Sequence, residues 1–306
     1  YGLWKLGRRA IRPLIVYAAI AMLTCYLTWP YLWSDPPGHY LETLRTMSEF
    51  PFATSILFWG RLYGAADLPR SYFPTLLALQ LTEPMLLLLG LGLAASAWLW
   101  IRGRQAEPAL LFLAWFLLPA AFVIARGSPI YDNGRQLYFL LPALFVAAGV
   151  GLEWLFARLS HPAAQAGVLL LAALPGLLLS LRLHPYEYVY YNSLIGGTGG
   201  AFRKFEMDYW GTSLKEMTEH LNAAAPPDAR VLVFGPQQIV AHYARSDILA
   251  VIPGEEDSTG FDYAVLLTRE NLDERRCKAG RTVYEVGRRG AVFSVLKSIP
   301  EGAVCR

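Results

Sequence analysis

The chain has 306 residues, 55% hydrophobic and 17% charged, with 9 Trp, 3 Cys and a formal net charge of +3; this excludes a disordered tail, a collagen-like rod and a small disulfide scaffold. Residues 1–182 hold 13 Lys+Arg and 8 Asp+Glu, whereas residues 183–306 hold 14 and 16. The first part is apolar and sparsely charged, the second has the composition of a soluble domain, and no basic stripe points to nucleic acid.

The chain starts at Tyr1 with no signal peptide ahead of its first apolar run, so it reads as the C-terminal part of a longer protein. A hydrocarbon core about 30 Å thick takes about 20 apolar residues per helix. Five runs come close: 11–29, 84–101 (with 73–81 as a backward extension), 108–125, 137–155 and 166–181. Lys5, Arg8, Arg9, Arg12, Arg102, Arg104 and Arg158 all fall on one side if the N-terminus is cytoplasmic, as the positive-inside rule requires. The expected fold is therefore a mainly α membrane protein of about five transmembrane helices followed by a small soluble α/β domain. Its expected parts are a transmembrane domain, 1–195, with an extracytoplasmic cap segment at 31–83, a linker at 196–212, and an extracytoplasmic α/β domain at 213–306.

Within the cap segment, Tyr40, Leu41, Leu44 and Met47 have helical spacing and predict a helix over 39–47 lying on the membrane surface. Trp29, Tyr31, Trp33, Trp59, Tyr63 and Tyr72 suit an interfacial belt. After the last span, four tyrosines in 184–192 again read as interface. Gly196, Gly197, Gly199 and Gly200 surround Thr198; without the ending of a P-loop, the run reads as a hinge rather than a phosphate cradle. Ser213 with Glu216 forms a capping-box pattern that opens a helix to about Leu221. Runs 231–234, 248–252 and 263–267 are β-rich, with a short helical stretch at 237–243. Runs 282–286 and 291–296 flank Gly287-Arg288-Arg289-Gly290 as a terminal hairpin.

Cys25 reads as inert packing inside the first span. Cys277 and Cys305 bracket the hairpin, and a disulfide there fits an oxidising compartment while free thiols stay open. The five histidines are scattered and no pair of cysteines has zinc-ligand spacing, so no cofactor is called for and a divalent metal is not indicated. What remains is a set of polar groups at the outer ends of the spans. A permanently charged, planar guanidinium suits a phosphate, although a lone Arg at a membrane surface also serves as an anchor. The set is Asp35, His39, Arg61, Arg70, Tyr72, Glu83, Arg126, Tyr131, Asp132, Arg135, Glu187 and Asp208.

Trp33-Ser34-Asp35-Pro36, Leu57-Phe58-Trp59-Gly60, Tyr72-Phe73-Pro74 and Thr82-Glu83-Pro84, in that order, resemble the outer segment of bacterial membrane glycosyltransferases of family 39. These are related to protein mannosyltransferases and aminoarabinose transferases. Arg135-Gln136-Leu137-Tyr138-Phe139-Leu140-Leu141-Pro142 resembles that family's entry into a late transmembrane helix. Residues 184–192 and 205–211 resemble the junction in members with an exported C-terminal domain. Position 70 is Arg where the pattern leads one to expect an aromatic residue. The resemblance covers roughly residues 30–215 and implies a GT-C fold in the inner or plasma membrane. It implies a polyprenyl-phosphate sugar donor, transfer with inversion to an extracytoplasmic acceptor and contact with membrane lipids; at the family-like outer positions Arg135, Arg61 and Tyr72 are the leading candidates for substrate binding, with Arg126 and His39 behind them. The family's general base lies in a loop that would precede Tyr1, so no catalytic residue is assigned here and the piece alone is expected to be inactive. The competing readings are an oligosaccharide ligase or polymerase using lipid-linked donors, and a non-enzymatic membrane-anchored binding or transport module.

Overall fold

A computed structural model describes residues 7–48, 55–102, 107–254 and 260–305. The chain forms two compact units, Tyr1–Ala53 and Thr54–Arg306. In the first, a turn of 3-10 helix leads into α1 (Ile11–Thr28), whose side chains are almost all exposed and apolar on every side, as in a helix solvated by lipid. Cys25 is a free thiol on this helix. The expected surface helix is α2 (Pro36–Ser48). It starts earlier than its apolar stripe because Asp35 accepts the Gly38 N–H at 3.1 Å, an N-terminal cap followed by two prolines suited to a first turn. Tyr40, Leu41, Leu44 and Met47 lie exposed along it. The elbow between α1 and α2 is tied by the Trp33 indole N–H donating to the Tyr26 carbonyl at 2.8 Å and by the Tyr31 hydroxyl donating to Glu42 at 2.7 Å.

The second unit opens with a hairpin, β1 (Ser55–Phe58) and β2 (Arg61–Gly64). Its two turn residues, Trp59 and Gly60, both have positive φ, 50° and 74°, which matches the twist of a two-residue hairpin. Next come α3 (Tyr72–Gln80) and α4 (Glu83–Ile101). The run 73–81 is therefore not an extension of the span. Leu81 and Thr82 turn extended, with ψ near 146° and 151°, and Pro84 starts a new helix. There follow α5 (Glu107–Arg126), a 3-10 stretch from Asp132 to Leu140 that feeds α6 (Leu141–Phe156), and α7 (Pro162–Leu183).

Among the described residues, four helices are long and apolar enough to cross a membrane: Gly7–Thr28, Glu83–Ile101, Asp132–Phe156 and Pro162–Leu183. The expected span at 108–125 lies on α5, whose described apolar part, Leu111–Arg126, falls short of that length. Helices α4 and α6 meet backbone to backbone. A Cβ on Gly92 would overlap the Ala147 carbonyl oxygen, and one on Gly151 would overlap that of Leu88, the small-residue contact that lets membrane helices close up.

Residues 196–212 do not form a free linker. They carry α8 (Gly197–Ala201), then a buried run from Phe205 to Tyr209. Phe205 bridges to Phe58, and the Gly60 N–H donates to the Lys204 carbonyl at 2.9 Å. The glycines act neither as a hinge nor as a cradle: Gly199 sits against the Arg289 carbonyl and Gly290, where a Cβ would have no room.

Beyond them, α9 (Ser213–Ala224), β3 (Arg230–Phe234), α10 (Gln237–Tyr243), β4 (Leu249–Val251), β5 (Tyr263–Leu267), α11 (Leu272–Arg275), β6 (Arg281–Arg288) and β7 (Ala291–Ser298) build the α/β region. The sheet order is β4-β3-β5-β7-β6, with β3 parallel to β4 and β5, and β7 antiparallel to β5 and β6. Leu214, Met217 and Leu221 of α9 are fully buried. A second cluster joins Leu232, Phe234, Leu266 and Val295 to Cys277 and Cys305, which are disulfide-bonded. With cover on both faces, the central strands read as continuous apolar runs rather than alternating ones. The capping box does not form: Asp208 accepts the N–H groups of Thr212 and Ser213, each at 2.8 Å, and caps α9 from outside. Glu216 instead accepts from the Tyr186 hydroxyl at 3.0 Å and the Arg288 guanidinium at 2.7 Å.

Candidate functional site

The 3-10 stretch after α5 begins with Asp132 and Asn133, both at positive φ (49° and 57°). That backbone course turns Asp132 and Asn133 inward, and both are buried. Asp132 then holds two arginines: Arg135 at 3.0 Å on one carboxylate oxygen and Arg269, from the end of β5, at 2.9 Å on the other. Arg269 also reaches Glu206 at 3.4 Å. Glu206 is 1% exposed. Burial pushes its carboxyl up to about 7, against the pull of Arg269, with Asp132 and Glu270 adding repulsion. Asn133 accepts the Tyr191 hydroxyl at 3.2 Å.

Arg135 keeps its guanidinium one-third exposed and lays it over the Trp210 ring at 4.2 Å from the centroid, with Tyr131 at 5.6 Å. Trp210 is itself 53% exposed. Tyr72, on the first turn of α3, is 2% exposed. Its hydroxyl faces Asn133, Asp132 and Glu206 without closing a normal hydrogen bond, and burial raises its pKa well above the usual phenol range. Arg135 and Tyr72 thus belong to one cluster around Asp132, Arg135 at its surface and Tyr72 inside it.

Arg61 and Arg126 are not brought there. Arg61 is exposed at the start of β2, and Arg126 is exposed at the C-terminal end of α5. His39 belongs to the first unit, stacked on Tyr31 at 4.2 Å with a ring nitrogen 2.6 Å from the Tyr31 carbonyl. Sequence reasoning missed Arg269, Glu206 and Trp210. Trp210 sits in a quoted motif, but nothing local marks Arg269 as a partner for a residue 137 positions away.

Asn133, Gly134, Leu137 and Tyr138 also line a cleft of about 180 Å³ whose other wall is Phe73, Leu77 and Gln80 from α3, with Glu187, Tyr188 and Tyr190. The cleft is apolar with a few hydroxyl, amide and carboxylate groups, the usual make-up of a small-molecule site. Among the described residues no group of three or more His, Cys, Asp or Glu could hold a metal ion. What the cluster offers chemically is a guanidinium with free donors beside an exposed indole, at the start of a helix long and apolar enough to cross a membrane. No family model, no curated protein and no solved structure matches the chain.

Proposed function

We propose that the chain is the membrane-embedded and outer portion of a glycosyltransferase that takes a sugar from a polyprenyl-phosphate donor and passes it, with inversion, to an extracytoplasmic acceptor. In this reading the N-terminus is cytoplasmic, the α/β region lies outside the inner or plasma membrane, and the general base comes from sequence ahead of Tyr1. The observation that carries it is the Arg135–Trp210 pair. A guanidinium presents planar donors to phosphate oxygens, and a neighbouring indole offers an apolar face to a sugar ring. Asp132 holds Arg135 by one nitrogen and fixes its direction, so the remaining donors are preorganised for the charge that develops on a departing phosphate. Asp132 already serves two arginines and is not offered as the base.

The test is transfer by the full-length enzyme. Arg135→Ala lowers donor binding or transfer at least tenfold, since one charge-assisted contact is worth about 1.5–3 kcal/mol. Arg135→Lys restores only part, for want of the fork, and Trp210→Ala raises KM for the donor more than it lowers kcat. Wild-type rates and donor affinity in a correctly folded Arg135→Ala protein remove Arg135 from the site and leave it an anchor.

A further inference from the structure

The α/β region reaches the Asp132 cluster through Arg269. This residue follows β5 by two positions, at the carboxyl end of the parallel strands, the edge where open α/β sheets take their ligands. The turn that carries it is clamped from behind. The Thr268 hydroxyl donates to the Val292 carbonyl at 2.7 Å. Arg203 donates to Asn271 at 3.3 Å and to both carboxylate oxygens of Asp273 at 2.6 Å. Glu270 and Asn271 both have positive φ, 56° and 55°, as Asp132 and Asn133 do on the other side of the contact. Residues with a Cβ hold such a backbone only where their surroundings impose it, a condition met most often at functional sites.

Arg269 is not what docks the α/β region. Gly199 already lies against the Arg289 carbonyl and Gly290, and Glu216 joins Tyr186 to Arg288. Nor are its own contacts well made. Its Nε is 3.4 Å from Glu206 and a terminal nitrogen is 2.9 Å from Asp132, yet neither closes an aligned hydrogen bond. A guanidinium and two carboxylates buried on these terms lose more hydration than the contacts return, and apolar side chains would stabilise the fold as well. What Arg269 does govern is Asp132. A carboxylate beside an arginine closes on it with both oxygens, fork to fork, when both are free. Asp132 gives Arg135 one oxygen, at 3.0 Å, while its other oxygen faces Arg269.

We infer that Arg269 is a positioning residue for Arg135: it occupies one oxygen of Asp132, keeps that carboxylate from closing on Arg135 with both, and so leaves the Arg135 fork open beside Trp210. Arg269 touches no substrate and acts through Asp132. Two arginines then share a single Asp132 charge, and Arg135 retains positive charge for an incoming anion; without Arg269, Asp132 neutralises Arg135 alone. This gives the α/β region a part in the reaction, and it rests on the proposed role of Arg135 as a phosphate ligand.

The test reads the Arg135 fork directly. The full-length enzyme in nanodiscs is treated with phenylglyoxal, which attacks open guanidinium groups, and the modification rate of Arg135 is followed by peptide mass spectrometry with and without farnesyl phosphate. Wild-type Arg135 should react and be protected by farnesyl phosphate. Arg269→Met, similar in reach but without donors, should slow the reaction about threefold and raise the half-protecting farnesyl phosphate concentration about tenfold. Adding Asp132→Asn should return the reaction rate to the wild-type value or above although Arg269 is absent, a rescue that loss of a structural prop would not show. Arg269→Lys, which keeps the charge without the fork, should slow the reaction about twofold. An unchanged Arg135 rate in folded Arg269→Met, or a slowing that Asp132→Asn does not relieve, overturns the inference. Should Arg269→Met fail to fold, Arg269→Lys with and without Asp132→Asn decides it by the same criteria. Rates that shift as expected while farnesyl phosphate protects Arg135 in no variant overturn the phosphate reading of Arg135 instead, and leave its positioning by Arg269 in place.

Discussion

Helix α4 meets its two neighbours in opposite ways. Against α6, Gly92 and Gly151 leave the crossing point without a side chain, and each faces the backbone of the other helix where a Cβ would stand. Against α7, leucines and a proline leave an apolar opening of about 390 Å³. Both contacts lie between helices of similar apolar composition, so hydrophobicity does not explain the difference. In lipid, an apolar helix face gains nothing from leaving its solvent, and only fit draws helices together. Where the fit is built, the helices close; where it is not, a space of molecular size persists.

The sharpest way to break this comparison is to put side chains on neighbouring glycines of one helix. Gly92→Leu should cost about 3 kcal/mol or more and abolish a folded state in detergent, because the obstacle is backbone. Gly90→Leu, two residues away with nothing within 4 Å of its Cβ, should stay within about 0.5 kcal/mol of wild type. Thermal unfolding of the purified pair decides it, and equal losses would mean that α4 and α6 do not close through glycine.

In the α/β region, closeness rests on ties instead of fit, and the same contrast can be sharpened there. Reducing the Cys277–Cys305 bond, which spans 28 residues, should lower the stability of the α/β region by about 3–4 kcal/mol on loop-entropy grounds. Denaturant titration with and without reductant measures it. Glu206 should give a pH signature. Its folded-state pKa of about 7 lies above the ordinary 4.5, so between these values the folded chain holds a proton that the unfolded chain has lost. Stability therefore falls as pH rises from about 4.5 to about 7, by at most roughly 3 kcal/mol, and levels off above. Glu206→Gln should flatten that slope; an unchanged slope would assign it to other groups. Smallest is the cap: Asp208→Ala, which frees the Thr212 and Ser213 N–H groups, should cost about 2 kcal/mol, visible as faster amide exchange in the first turn of α9.

Most elements were legible because their signal is local. The helix at 237–243 and the strand at 263–267 fall where composition put them, and the apolar runs at 11–29, 84–101 and 166–181 are helical. The break at Leu81–Thr82 was hidden because apolar residues run through it while Thr82-Glu83-Pro84 redirects the chain. The pattern at Ser213 marked the start of the helix but not how it is capped, since Asp208 takes the N–H groups there and Glu216 is drawn to Arg288. Two members of the cluster were legible in the sequence, Arg135 at its surface and Tyr72 inside it. Arg135 announces itself at the start of a long apolar helix, but that it stacks on Trp210 and shares Asp132 with Arg269 depends on contacts across 70 residues or more. The glycines at 196–200 misled for a related reason: the absence of a side chain serves flexibility and close approach equally, and only the partner at Arg289 and Gly290 distinguishes them.

The Cys277–Cys305 bond has a mechanical consequence. Residues after β7 are tied back to the chain just ahead of β6, so tension on the C-terminal end is delivered to both ends of the hairpin at once. With the bond intact, β7 cannot be peeled from its neighbours by its own tail. In a single-molecule pulling experiment, reduction should lengthen the released contour by about 95 Å, the reach of 28 extended residues. The oxidised chain should rupture at higher force and in one step where the reduced chain unzips.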